Sequence, residues 1–270
     1  MSKQCVQKQT AFSPERPSLF LTRSLSSHPT VLGVLGLLLL LAIWWLGIYW
    51  FGGTLAKQFA PEQAVTTTFR LLGDGDIWLH ILLSLKRVAI GLAIALLLGI
   101  PTGLLVGFST SISALLSPAF QFLRMVSPLS WMPIAVMAFG IGDAPIYFLL
   151  SFAAVWPIII NTAAGVQALN TKWLALGLSL SATRFETLTH IVAPGIFSHV
   201  LTGTRLAIGI VWIVLVPSEM LGVDAGLGYF VLDTRDRMAY SELMAVILII
   251  GMLGFALDSL MRWAFKKWQY

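Results

Sequence analysis

Arg124 stands deep inside a long apolar stretch, and the polar residues around it have types that suit a small solute in transit. Ser127, Ser130 and Trp131 lie beside Pro128 and Pro133, where a kinked backbone frees hydrogen-bonding groups toward the middle of a bilayer. Asn161 and Thr162 follow Pro157 in the next apolar stretch. On a path, Arg124 would favour an anion. A bare charge at such a depth costs at least about 2.5 to 3.5 kcal/mol. Two readings of Arg124 therefore stand: a path or gate residue, or a structural cation paired with a carbonyl or a lipid phosphate. The serines, Trp131, Asn161 and Thr162 either line a cavity or satisfy their own helices. Glu219 would repel an anion, so pairing with a cation or fixing a gate suits it better.

Covalent chemistry has no foothold. Cys5 is the sole cysteine, and His28, His80, His190 and His199 are too scattered to propose a metal site or a nucleophile with its base. No Gly-x-x-x-x-Gly-Lys-Ser/Thr loop is present, so phosphate cradling and ATP hydrolysis belong to another chain. No cofactor, metal or enzymatic activity is expected.

The elements that must position these residues are membrane helices. Of 270 residues 57% are hydrophobic and 11% charged, too apolar for a soluble domain of this length. The net charge of +5 comes in short clusters beside apolar runs, which points to lipid head groups and away from nucleic acid. A crossing needs roughly 20 mainly apolar residues. Six stretches qualify: 31–52, 86–108, 113–140, 145–168, 201–221 and 243–263. Residues 1–30, rich in Ser, Pro and Gln, are expected to be a disordered tail, and the run from Val31 reads as a retained helix since no small-residue cleavage site ends it. With a cytoplasmic N-terminus the inner side receives ten basic residues (Lys3, Lys8, Arg16, Arg23, Lys172, Arg184, Arg205, Arg262, Lys266 and Lys267). The outer side receives six (Lys57, Arg70, Lys86, Arg87, Arg235 and Arg237), which favours both termini in the cytoplasm.

One long loop, 169–200, then faces the cytoplasm. Leu174, Leu178, Ser181, Phe185, Leu188 and Val192 recur in it at helical spacing, which predicts an amphipathic helical segment. The Leu176, Leu178, Leu180 alternation would suit a strand, but an isolated strand beside a membrane would leave its edges unpaired.

This loop resembles that of the binding-protein-dependent ABC permeases, which reads Glu-Ala-Ala, three residues, Gly, nine residues, Ile, any residue, Leu, Pro. Here Ala175, Leu176 and Gly177 stand in place of Glu-Ala-Ala, Ser181 in place of Gly, and Ile191, Val192, Ala193 and Pro194 close the motif. The resemblance covers about residues 80–265 and narrows to the nitrate, sulfonate and taurine branch. It rests on Ser84-Leu85-Lys86-Arg87, Gly99-Ile100-Pro101-Thr102-Gly103, the run Leu123 to Pro133, Phe139-Gly140-Ile141-Gly142, Trp156-Pro157-Ile158, Thr202 to Leu206, Ser218-Glu219-Met220-Leu221-Gly222 and Gly226-Leu227-Gly228-Tyr229.

What the resemblance implies is an all-α, six-helix bundle of the type I ABC importer permease kind, occupying 31–270 in a bacterial inner membrane. It implies a homodimer, a periplasmic or lipid-anchored substrate-binding protein outside, and two ATP-binding cassette subunits docked inside. Leu174, Ala175, Gly177, Leu178, Ser181, Arg184 and Pro194 would form the coupling surface. Arg124, Ser127, Ser130, Trp131, Asn161, Thr162 and Glu219 are the candidate path residues for nitrate, taurine or an alkanesulfonate. The 222–242 loop reads either as a docking surface for the binding protein or as a solvated turn with a short helix. The rival from another class is a self-sufficient secondary transporter or channel, but no inverted repeat supports it and Glu219 is the only acidic candidate near a path.

Overall fold

The computed structural model describes residues 29–51, 53 and 56–268, and every regular element in them is helical. The chain divides after Gly53 into two units. The first holds α1 (Pro29–Phe51), an unbroken apolar helix in which Trp45 stacks on Tyr49 at 5.7 Å. Paired aromatic rings of this kind settle at a membrane interface. Apart from Pro29 and Thr30, which begin α1, the expected tail lies outside the described residues.

The second unit opens with a 3₁₀ turn (Ala56–Phe59) and α2 (Pro61–Asp74), whose first helical residue is proline, a position where the missing N–H does no harm. Then come α3 (Asp76–Phe108) and α4 (Thr110–Met125), a 3₁₀ turn (Pro128–Trp131), α5 (Met132–Phe139) and α6 (Asp143–Gln167). After α7 (Thr171–Ser179), α8 (Arg184–Thr187) runs through a wide π turn (Leu188–Val192) into α9 (Ala193–Glu219). The chain finishes with α10 (Leu227–Asp236) and α11 (Tyr240–Trp268). Among the described residues five helical runs are long and apolar enough to cross a membrane, and α4 with α5 makes a sixth if the bent pair is one span.

Two expectations from the sequence need correction. The span expected from 86 starts at Asp76, because the polar residues that marked its edge, Ser84 and Arg87, are buried inside the helix bundle. The span expected over 113–140 is not one helix: α4 and the segment after it meet at 88°. Val126 and Ser127 are extended there, since Pro128 excludes the helical conformation from the residue before it. The amphipathic helical segment expected across 174–192 turns at 180–183, and its second half is continuous with the fifth span, giving one helical run from Arg184 to Glu219.

The centre of the unit is α3 against α6 against α9. Leu150, Ile158, Ala207, Val211 and Leu215 form its apolar core. Hydrophobicity alone does not hold helices together in lipid, so close backbone approach and van der Waals contact must. The sequence of α3 supplies that with a small residue at every fourth position: Gly91, Ala95, Gly99, Gly103 and Gly107. Four of these are glycines that sit directly on α6, under Leu150, Ile158, Thr162 and Val166. A separate cluster at the other end of the unit joins α2, α3, α10 and α11 through Leu71, Ile77, Ile81, Leu227, Phe230 and Val246.

A methyl group at Gly103 would lie 2.6 Å from Thr162 Cβ and 2.9 Å from the Ile159 carbonyl, whereas one at Gly251 would meet nothing within 4 Å. Gly103→Ala is therefore expected to destabilise the protein by about 1 to 3 kcal/mol. Gly251→Ala is expected to gain up to about 1 kcal/mol from helix propensity. Thermal unfolding of the two variants in detergent checks both.

Candidate functional site

Three places concentrate polar side chains that the fold could have left in water. The first is a buried charge cluster where the ends of α3, α6 and α9 meet. Arg87 donates from Nη1 to Glu219 Oε1 at 2.8 Å and to the Ala225 carbonyl at 2.6 Å, and from Nε and Nη2 to Asp143 Oδ1 at 2.9 and 2.7 Å. Ser84 donates to both Glu219 oxygens at 2.8 Å and accepts the Leu227 N–H at 2.9 Å. The Gly228 N–H donates to Glu219 Oε2 at 3.0 Å, and the Gly226 N–H to His80 Nδ1 at 3.0 Å.

Glu219 is wholly buried and each of its oxygens is satisfied, so the charge is tolerated without water. The glycines are required by this approach. Gly226 is at φ +129°, where a Cβ would come within 2.7 Å of the Glu219 carboxylate, and a Cβ at Gly228 would overlap the Val216 carbonyl. Glu219 therefore pairs with a cation, the role its charge favoured in the sequence. Its partner, 132 residues away, has no local signal in the sequence.

The second place surrounds Arg124. Arg124 lines two cavities of about 440 and 390 Å³, and Trp156 and Ile160 also line both. Asn161 lines the smaller, where its Nδ2 donates to the Pro157 carbonyl at 2.8 Å. Ser127 and Ser130 are exposed at the break between α4 and α5, and Trp131 packs its ring on Phe152 at 5.7 Å. Thr162 lines neither cavity; it is fully buried against Gly103 in the α3–α6 contact. The structure thus gathers Arg124 and Asn161, sets Ser127, Ser130 and Trp131 beside the break, and leaves Thr162 and Glu219 elsewhere.

The third place is the 171–199 region. Asn170 caps α7 by accepting the Lys172 N–H at 3.0 Å. At the other end of α7 the Ala182 N–H bonds the Gly177 carbonyl and the Ser181 N–H bonds the Leu178 carbonyl, the paired closure of a Schellman motif. That motif needs a left-handed residue, and Ser181 takes it at φ +55°. Ser181 stands where the related motif has glycine, and this backbone shows why glycine suits the position.

The next helix starts at once. Thr183 Oγ1 accepts the Glu186 N–H, and Glu186 Oε2 accepts the Thr183 N–H at 2.7 Å, a capping box visible in the Thr-x-x-Glu spacing. Gly177 lies under Ile191, and Leu174 packs on the core made by Val166, Val192 and Ile196. Pro194 opens α9, and Ala175 and Arg184 are exposed. Leu178 and Phe185 are 77% and 74% exposed, with Trp173, Leu176 and Leu180 exposed near them. The segment is anchored on one side and presents an unpartnered apolar surface on the other.

Residues 95–270 match the family described as binding-protein-dependent transport system inner membrane component. The chain is 36% identical over 199 residues to a bicarbonate transport system permease protein of Synechococcus elongatus, covering 73% of this chain and 70% of that one. It is 35% identical over 187 residues to a nitrate import permease protein of Leptolyngbya laminosa, covering 69% and 67%. A taurine transport system permease protein of Escherichia coli is 30% identical over 203 residues, covering 73% and 74%.

A double-mutant cycle tests the first place and a single variant the third. Removing one partner of a buried ion pair strands the other, so Arg87→Ala and Glu219→Ala are each expected to destabilise by about 3 to 5 kcal/mol, and the double variant by less than their sum. Additive losses in a thermal double-mutant cycle would mean that the two groups do not interact. Ser181→Gly is expected to stabilise by about 1 kcal/mol, because it removes the strain of a left-handed residue with a side chain. A lower melting temperature would count against that reading of the turn.

Proposed function

The chain belongs to the binding-protein-dependent transport system inner membrane components, and from that premise we propose that it moves a small oxyanion past Arg124 while a helix running from Arg184 to Glu219 carries the drive. It is the multi-pass inner-membrane permease subunit of an ABC importer, works with ATPase and substrate-binding partners, and is not an enzyme. Bicarbonate, nitrate and taurine, the solutes in its relatives' names, all carry an anionic oxygen group, which supports a cargo of that class.

The observation that carries the mechanism is the continuity of that run. Its 36 residues span roughly 54 Å at 1.5 Å per residue. Its first turns sit beside the exposed apolar surface of α7 and α8, and its last residue is Glu219 in the buried charge cluster. A rigid rod with a docking surface at one end and a fixed clasp at the other transmits displacement. ATPases that draw two such surfaces together on binding nucleotide would tilt α9, and with it α3 and α6, because ATP binds one arrangement better than the other.

A second copy of the chain completes the path in this reading. No residue of α4 is buried, although Leu115, Phe122 and Met125 on it are large and apolar, and in α5 Met137 is 87% exposed. The excess of Lys and Arg on one side supports cytoplasmic termini, with α4 and α5 counted as a single crossing. The path residues are Arg124, Asn161 and, beside the break, Ser127, Ser130 and Trp131. Thr162 and Glu219 support the packing around it. Half-buried Asp233 and exposed Arg235, Asp236 and Arg237 at the end of α10 are the surface offered to a binding protein.

Leu178→Asp with Phe185→Asp puts charge on the docking surface without touching the core. The variant is expected to keep the wild-type melting temperature while losing co-purified ATPase and ATP-driven uptake of nitrate, bicarbonate or taurine in reconstituted vesicles. Wild-type uptake by the variant, or full-speed uptake by the native permease with no ATPase present, would overturn the proposal.

A further inference from the structure

The larger cavity beside Arg124 carries a feature that the sequence reading did not single out. Ser113, Ser117, Gln121 and Arg124 all line it from α4, and Gln167 lines it from the end of α6. At about 100° per residue the four α4 positions fall within roughly 80° of one another around the helix, and they climb roughly 16 Å along it. Leu115 and Phe122 lie on the opposite face. The helix has a donor face toward the cavity and an apolar face away from it.

Many helical hydroxyls of this unit are satisfied by their own helices, but those on that face are not. Thr102, Ser151, Thr204, Ser218 and Thr234, also within helices, return their hydroxyl protons to carbonyls three or four residues back. The side chains of Ser113, Ser117, Gln121, Arg124 and Gln167 make no such bond, nor any ion pair, with another described residue. Donors without internal partners that line a cavity within a membrane span meet water or a solute there. No acidic residue lines the cavity. Trp156, nine-tenths buried in its wall, also has an indole N–H with no partner among the described residues.

We infer that this face is a stepwise oxyanion-binding site, in which the guanidinium of Arg124 supplies the charge and Ser117, Gln121, Ser113 and Gln167 replace the water lost by an anion of the nitrate, bicarbonate or sulfonate class. The inference rests on the importer reading above. Neutral donors in series hold an anion loosely enough for release, whereas a second arginine would trap it. The face runs from Arg124, next to the break after α4, toward the N-terminal end of α4. In the proposed orientation that direction is the cytoplasm, so the site serves the last half of the journey.

The test uses the full complex with its ATPase subunits in membrane vesicles. Ser117→Cys in a Cys5→Ser background is labelled with an anionic and a cationic methanethiosulfonate, and the ratio of the two rates is compared with that in the same protein carrying Arg124→Gln. The ratio is expected to favour the anionic reagent by about fivefold or more when Arg124 is present, since a charged cleft concentrates its counter-ion. Nitrate at millimolar concentration is expected to slow that labelling. Equal ratios in the two backgrounds, or no labelling at Ser117→Cys and likewise at Ser113→Cys, would overturn the site. ATP-driven uptake measured on the same vesicles separates the two ideas: preserved uptake with charge-indifferent labelling removes only the site, while uptake independent of ATP removes the importer reading.

Discussion

A guanidinium cannot stand alone in hydrocarbon, and the way Arg87 is paired organises much of the second unit. It draws a carboxylate from α6 and another from α9 to α3, and Ser84, Ala225, Gly226 and Gly228 close around them. Losing any partner would leave a buried charge, so the three helices are bound at that end to a common position. Farther along, α3 meets α6 through its own glycines, and α6 meets α9 at Gly165 and Gly203, with no room for a methyl group at the α3 contacts. Clasp and stripe together make α3, α6 and α9 move as one body.

What is not clasped is free to do something else. α4 has no buried residue and breaks from α5 at Val126 and Ser127, so the wall that carries Arg124 is attached to the scaffold only lightly. The 171–192 segment is tied by Leu174, Gly177, Ile191 and Val192 to the start of the α9 run, and Trp173, Leu176, Leu178, Leu180 and Phe185 are exposed. A stiff core with a loose wall and an exposed lever is the division an alternating-access machine requires, since motion of one packed body against another changes access without unfolding either.

Much of this was legible in the sequence where the signal is local. Leu37 to Leu41 announces α1, the distance from Ala175 to Pro194 announces the helical segment between the fourth and fifth spans, and Arg124 stands beside a proline-rich break. Thr183 and Glu186 spell a capping box, and Gly99, Gly103 and Gly107 spell a packing stripe. The rest depended on contacts between distant positions. Arg87 looked like the outer edge of a span because nothing within a few residues neutralises it; Glu219, Asp143 and Ala225 do so from far along the chain. Three of the motifs that carried the family resemblance, around Arg87, Glu219 and Gly226, converge in this one cluster, and no pattern within any of them could say so. Thr162 read as a polar lining residue because periodicity cannot tell a face turned to a cavity from one turned to a neighbouring glycine.

The central claim is that α8, the π turn and α9 behave as one rod. The direct measurement is the distance between spin labels at positions 185 and 213 of one chain, both exposed, in doubly labelled chains diluted with unlabelled ones and followed through the ATP cycle of the assembled complex. The account predicts a separation near 42 Å, from 28 residues at about 1.5 Å each, that changes by less than about 2 Å when ATP binds. A shortening of one helical turn, about 5.4 Å, or more would show that the run folds at the π turn, and the lever would then fail to reach Glu219.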